Sequence, residues 1–374
     1  MENVRNVRKF RLIQTKEGIK YMKKLVTMSI IISSMLLSAC STNTKEIANS
    51  DRISVVATSF YEYDWIRQIL GDNQDKIDLT LLLDNGVDLH SYEPSVEDIS
   101  KITSAALFIH TGGDSDSWVD DVLEQTDRDE FRNIDVMEYL GDSVKKEVMV
   151  EGMQGGGHDH DHEDCDVEDH DHEDCDDEDH DHDHEDHDHE DCDEEGHADE
   201  HIWLSLKNAI KICDVIEEEL SEIDPDNASI YEENKENYIN SLVELDEKYA
   251  QTVKDATRDT VIFADRFPFL YMMQDYGINY YAAFQGCSAE TEASFETVAF
   301  LSDKVKELSA NNVIVLDNGL AELGQTIINN SGNSECEILT INAMESITGE
   351  DIENGVTYLT IMEENLEILK TALN

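Results

Sequence analysis

Residues 224–258 read DPDNASIYEENKENYINSLVELDEKYAQTVKDATR. After Pro225 the apolar and aromatic positions Tyr231, Tyr238, Leu242, Leu245, Tyr249 and Val253 recur at spacings of three, four or seven residues. This is the stripe of one continuous amphipathic helix. About 30 residues rising roughly 1.5 Å each make a rod roughly 45 Å long, enough to cross a whole domain.

On both sides of this rod the sequence alternates short β-branched or apolar runs with helical patterns. Upstream, strands are expected at Ile53 to Thr58, Ile77 to Leu83 and Ala105 to Ile109, with helices at Tyr61 to Leu70 and Ser95 to Ile102, the latter opened by a Ser cap. Downstream, strands at Val261 to Phe263, Tyr280 to Ala283, Val313 to Leu316 and Ile338 to Ile341 alternate with helices at Phe269 to Tyr276, Phe295 to Leu308 and Ala321 to Asn329; a last helix spans Val356 to Leu373. The rhythm is that of α/β proteins. The expected architecture is two similar lobes, each a mostly parallel β-sheet flanked by helices, joined by one long rigid α-helix. The lobes are expected at 51–224 and 259–374, with the helix at 225–258. Ligands of open α/β sheets bind beyond the carboxyl ends of the strands, so the cleft between the lobes is the expected site.

The chain has 374 residues and a formal charge of −59, from 27 Lys+Arg against 86 Asp+Glu. Nucleic acid and anionic headgroups are therefore poor partners, and cations are the natural ones. The charge is concentrated: residues 158–200 carry 26 Asp+Glu and no Lys or Arg. Eleven of the 14 histidines lie between His158 and His197, and HDHEDCD occurs three times, at 160–166, 170–176 and 187–193. With almost nothing apolar to bury, 155–197 is expected to be a disordered loop. Its histidines include His158, His160, His162, His170, His172, His180, His182, His184, His187 and His189. Imidazole and thiolate suit zinc and copper, and a dense polyanion concentrates any divalent cation, so the loop is expected to gather metal through many interchangeable sites.

The run LVTMSIIISSMLLSA, residues 25–39, is shorter than the roughly 20 residues needed to span a bilayer and follows two lysines. It reads as a signal peptide over 1–39, with 1–21 an upstream extension created by start-site choice. Leu37, Ser38, Ala39 and Cys40 match a bacterial lipobox, which implies cleavage before Cys40, lipid attachment to its thiol and a linker over 40–50. The protein is then expected to be lipid-anchored, on the outer face of the bacterial cytoplasmic membrane, where disulfides are permitted. Cys287 and Cys336, near strand ends of the C-terminal half, are a candidate disulfide, whereas Cys213 on an apolar helical stripe reads as a core residue. No HExxH, GxSxG or P-loop string occurs, so an enzyme is not expected.

Three histidines lie outside the repeats: His90 in LDNGVDLHSYEPS, His110 before TGGDSDSW, and His201 in DEHIWLSL. HSYEP with an aspartate two residues before its histidine, a His/Asp-rich loop, a HIWL motif directly after it, a lipobox and two lobes on a long helix resemble the metal-binding solute-binding lipoproteins of ABC transporters, in particular the zinc-uptake branch. The resemblance covers about Ile53 to Asn374. It implies that His90 and His201, both from the N-terminal lobe, ligate one buried Zn²⁺ between the lobes, and that the ion is delivered to a permease driven by an ATPase. A monomer is expected.

The chain departs from the family at the third ligand, a His, or a Glu in manganese-binding relatives, just after the first strand of the second lobe in a pattern similar to HDAFGY. The corresponding stretch, FADRFPFLY at 263–271, puts Arg266 opposite that ligand, and a guanidinium cannot ligate. Asp265 offers a carboxylate one residue earlier, unless it pairs with Arg266 or caps a helix. His110, Glu290, Glu292 and Asp317 are further candidates. Asn342 stands roughly where manganese-binding relatives have an Asp, which argues against manganese. The expected role is capture of zinc by the cleft, with the loop raising its local concentration. Transport of manganese, nickel or cobalt, or a surface zinc buffer that never docks a transporter, are the alternatives.

Overall fold

The computed structural model describes residues 52–72, 75–124, 126, 131–154, 197–286, 288 and 292–374. The signal peptide, Cys40, the repeat-loop histidines from His158 to His189, Glu290 and Cys287 lie outside the described residues.

Two four-stranded sheets form, both wholly parallel. The first has the order β2, β1, β3, β4, with β1 at Ile53–Ala57, β2 at Ile77–Leu81, β3 at Leu107–His110 and β4 at Arg132–Asp135. The second has the order β6, β5, β7, β8, with β5 at Thr260–Phe267, β6 at Asn279–Gln285, β7 at Asn312–Leu316 and β8 at Glu337–Ile341. The lobes thus share one topology. Helices cover the sheets, which is why the buried runs VVA of β1 and VIVL of β7 are apolar without alternation.

Among the described residues the structure adds elements to those expected: the helices Trp118–Leu123, Val136–Leu140, Leu206–Ile223 and Gly349–Glu353, and β4. In β4, RNID buries only Ile134, so hydropathy carries no strand signal; its place comes from backbone pairing with β3. In β5 the strand continues four residues past the expected end at Phe263, and its register against β6 shifts between Phe263 and Arg266. Such a bulge re-aims side chains.

The long helix occupies Ala228–Asp255. Its 28 residues make a rod of about 42 Å. Tyr231, Tyr238, Leu242, Leu245 and Tyr249 are buried, as the stripe predicts, with Val253 partly so. It is pinned to the first lobe through Asn234 Nδ2, which donates to Ile69 O at 3.0 Å, and to the second through Tyr249 OH, which donates to Met362 O at 2.7 Å.

One apolar core runs from lobe to lobe. Tyr358, at the start of the last helix Tyr358–Ala372, lies edge-on to Trp65 and donates from its hydroxyl to Trp203 O at 2.7 Å. Trp203 Nε1 in turn donates to Ala343 O at 2.9 Å. Burying these large aromatic faces seats the lobes on each other. Cys213 is a buried thiol within this core, its pKa pushed up by burial. Cys336 is a free, buried thiol packed in the apolar cluster of the second lobe, and its candidate partner Cys287 lies outside the described residues. Among the described residues no helix is long and apolar enough to cross a membrane.

Candidate metal centre

The carboxyl ends of the two sheets supply three donors that converge. After β2 the chain turns at Gly86 (φ 72°) and enters a short 3₁₀ turn, Leu89–Ser91. Asp88 opens the turn by accepting from His90 N at 3.0 Å, which fixes the direction of the His90 side chain. His201 precedes a second 3₁₀ turn, Ile202–Leu204, whose three apolar residues plug into the core and leave no freedom to the histidine before them. Glu345 comes from the loop after β8, where Asn342 Oδ1 accepts from Met344 N at 2.7 Å and Met344 takes a positive φ of 66°.

His90 Nε2 lies 3.4 Å from His201 Nε2, and His201 Nε2 lies 3.5 Å from Glu345 Oε1. A tetrahedral ion with bonds of about 2.0–2.1 Å needs donor separations of about 3.3–3.4 Å, so these two separations fit a Zn²⁺-sized ion. His201 is wholly buried and Glu345 nearly so. The far ring nitrogens are held as well: His90 Nδ1 is 2.6 Å from Ser115 Oγ and 3.5 Å from Glu200 Oε2, and His201 Nδ1 is 3.1 Å from Asp199 Oδ1. Anchoring Nδ1 in this way leaves Nε2 of both rings aimed at the common point. Gly286, just beyond β6, lets the second lobe close over the site. A Cβ there would stand 2.7 Å from His201 Cε1 and 3.0 Å from Phe267 O.

Burial opposes charge on both imidazoles, but the outcomes differ. For His201, Asp199 and Glu345 outweigh burial and push its pKa up to about 10. For His90, burial and the neighbouring His201 charge hold it below the ordinary value. At neutral pH without metal, one proton therefore sits on His201, between the atoms a metal would join.

Arg266 faces this centre from the end of β5. Its Nη1 donates to Asp88 at 3.1 Å and its Nη2 to Glu345 Oε2 at 3.0 Å, so one planar guanidinium spans both lobes. The neighbouring Asp265 faces away. Its Oδ1 accepts from Arg266 N at 2.8 Å and its Oδ2 from Leu320 N at 2.7 Å and Leu316 N at 3.2 Å. The expectation that Asp265 is a ligand is thereby corrected: the β5 bulge turns this carboxylate onto backbone amides near the helix Ala321–Ser331, and both oxygens are used. Asp265→Asn should cost about 1–3 kcal/mol of stability, because an amide cannot accept at both oxygens, and should leave metal affinity within about twofold. Chemical denaturation and metal titration of the same protein measure the two effects.

The remaining candidates stand apart from the cluster. His110 is buried, stacked on Phe108, with Nε2 3.2 Å from Asn133 Nδ2 and Nδ1 3.6 Å from Asp116 Oδ2. Asp317 accepts from Ser346 Oγ at 2.8 Å, and Glu292 is exposed. Asn342 is a structural turn residue, not a donor to the cluster. Glu345 escaped sequence reasoning, although an acidic residue in the loop after the last strand, INAMESITGE, was the available signal. Among the described residues His90, His201 and Glu345 form one group of donor atoms, all within 4.8 Å of one another.

The family described as ZnuA, zinc-uptake complex component A, periplasmic, matches residues 55–372. The chain belongs to this family. It is 27% identical over 355 residues to the zinc-binding protein AdcA of Streptococcus pyogenes, with 93% of this chain and 61% of AdcA aligned. The chain thus spans about 61% of the length of that relative. It is 28% identical to the high-affinity zinc uptake system protein ZnuA of Bacillus subtilis, with 91% and 94% covered. The Zn(II)-bound ZnuA-like domain of Streptococcus pneumoniae AdcA superposes with a TM-score of 0.61 at 26% identity, covering 86% of this chain and 99% of that one.

Proposed function

We propose that this ZnuA-family chain is the extracytoplasmic zinc-binding component of a metal-uptake ABC transporter, with His90, His201 and Glu345 holding one Zn²⁺ between the lobes for delivery to a permease and its ATPase. The observation that carries this reading is the convergence of two imidazole nitrogens and a carboxylate oxygen, all within 4.8 Å of one another, where the two lobes meet. Two nitrogens and one oxygen favour zinc over the all-oxygen preference of manganese. The lobes correspond to 51–224 and 259–374, tied by the helix within 225–258. Cys40 carries the lipid that tethers the protein to the outer face of the cytoplasmic membrane, and the repeat loop gathers metal.

The role is carriage, not catalysis. The carboxylates beside the donors orient the site, Asp88 and Glu345 holding Arg266, Asp199 holding His201 and Glu200 standing beside His90. Isothermal titration should find one tight zinc equivalent besides the weak, numerous loop sites. Cells lacking the gene should fail to grow under zinc limitation, and normal growth would refute the transport role.

Ligation requires neutral imidazoles, so zinc competes with the proton on His201. Between about pH 7 and 10 one proton should leave per zinc bound, and the apparent affinity should fall about tenfold for each pH unit of acidification. Below the lowered pKa of His90 a second proton competes and the fall steepens. Titration in buffers of different ionisation enthalpy counts the protons; a pH-independent affinity from 7 to 9 would contradict the assignment of His201.

A further inference from the structure

Glu345 meets the metal centre with only one of its two oxygens. Its Oε1 is buried, has no hydrogen-bond partner among the described residues and lies 3.5 Å from His201 Nε2, whereas its Oε2 accepts from Arg266 Nη2 at 3.0 Å. This division is fixed from both sides. The loop that carries Glu345 is clamped by the last helix: buried Asn365 donates from Nδ2 to Asn342 O at 2.8 Å and accepts at Oδ1 from Asn342 N at 3.0 Å. One residue on, Ala343 O accepts from Trp203 Nε1 at 2.9 Å. Arg266 is held as firmly. The bulge between Phe263 and Arg266 aims the guanidinium, Asp265 Oδ1 accepts from Arg266 N at 2.8 Å, and Asp88 Oδ2 accepts from Nη1 at 3.1 Å.

A guanidinium is always charged and is a poor neighbour for a dication. Through its charge it weakens every divalent ion alike. Through its hydrogen bond to Oε2 it acts unequally. Zinc in a protein site is satisfied by four donors and takes imidazole nitrogen beside a single carboxylate oxygen. Manganese, magnesium and calcium prefer six or more oxygens, and a carboxylate that chelates with both of its oxygens is one way to supply them. With Oε2 bound to Arg266, Glu345 cannot chelate, and the cluster is left with two imidazole nitrogens and one oxygen.

We propose that Arg266 is a selectivity residue: by keeping Oε2 of Glu345 it restricts this carboxylate to one oxygen and so turns the cleft against oxygen-seeking dications, manganese above all, in favour of zinc. This rests on the reading above that Glu345 holds the ion, and it adds how competitors are rejected. Specificity is a difference of affinities, and a group that penalises the wrong ligand creates it as surely as a better contact to the right one. The planar fork of arginine lets one side chain hold Asp88 and Glu345 together, a geometry that the point charge of lysine does not copy.

The test uses the full chain and follows displacement of the tightest zinc equivalent by manganese with a chromophoric zinc chelator, which reads the ratio of the two affinities at the cleft itself. Wild type is compared with Arg266→Ala, Arg266→Lys, Glu345→Gln and the double variant Arg266→Ala/Glu345→Gln. In Arg266→Ala the ratio of zinc to manganese affinity should fall about tenfold or more, because manganese gains an oxygen that zinc does not need. Arg266→Lys, which keeps the charge, should show a smaller fall in the same direction. With Gln at 345 there is no second oxygen to release, so adding Arg266→Ala should shift both ions equally and leave the ratio within about twofold. A ratio that stays unchanged in the Arg266 variants overturns the proposal, since loss of a purely structural ion pair lowers stability and leaves the ratio where it was. A fall in the ratio that persists at full size in the Glu345→Gln background overturns it as well. A wild-type chain with no tight zinc equivalent to displace instead refutes the zinc-binding reading, so the two statements fail separately.

Discussion

His201→Ala should lower the affinity for the tightest zinc equivalent by about 100- to 1000-fold. Structural zinc sites bind with about 10–16 kcal/mol, so one of four ligands supplies roughly 3–4 kcal/mol. His201 earns the full share because it is the hub of the cluster: its Nε2 is 3.4 Å from His90 Nε2 and 3.5 Å from Glu345 Oε1, and it is wholly buried. Water cannot take over the missing position in the same geometry, since Asp199, Trp203 and the close approach of Gly286 shape the cavity around the ring. The control is His110→Ala, which removes another buried histidine outside the cluster. That variant should lose stability and keep its zinc affinity, and competition with a chromophoric chelator distinguishes the two. Equal affinity losses in both variants would mean that the effect of His201 is indirect.

Arg266→His should act in the opposite direction and tighten zinc binding by about 100-fold, one ligand's share. In the native chain the guanidinium holds Glu345 Oε2 at 3.0 Å and brings a permanent positive charge to the site of a dication. Electrostatic repulsion and competition for the same carboxylate both weaken zinc. Histidine at 266 removes the cation and offers a third imidazole from the end of β5. The substitution also severs the tie from Nη1 to Asp88, so metal-free stability should fall by roughly 1–3 kcal/mol while the zinc-loaded protein gains. Chelator competition and thermal unfolding with and without zinc measure both effects. Weaker binding in Arg266→His would show that Arg266 supports the site through Glu345 more than it opposes the metal.

Arg266 also shows where sequence reading succeeded and where it stopped. Matching FADRFPFLY to the family pattern put Arg266 opposite the third ligand, and the side chain does face the centre. Choosing Asp265 as its substitute failed, because a residue's direction at a bulged strand end depends on the register of β5 against β6. The bulge between Phe263 and Arg266 turned Asp265 toward the amides of Leu316 and Leu320. Glu345 was missed for a related reason. It meets Arg266 across 79 residues of chain, and no local pattern in INAMESITGE distinguishes a donor from any other loop carboxylate.

The sequence by itself determined the alternation of strands and helices and the long helix between two lobes, and it singled out His90 and His201. These are local properties: a 3.6-residue stripe, apolar strand runs, and histidines each preceded by an aspartate two residues before, which accepts from the histidine N. Only the tertiary structure decided which carboxylate completes the donor set, that Arg266 spans the lobes, and that one apolar core seats the lobes together. Each of these depends on how far-separated strand ends are brought face to face, and that is set by packing between the lobes, which leaves no periodic signal along the chain.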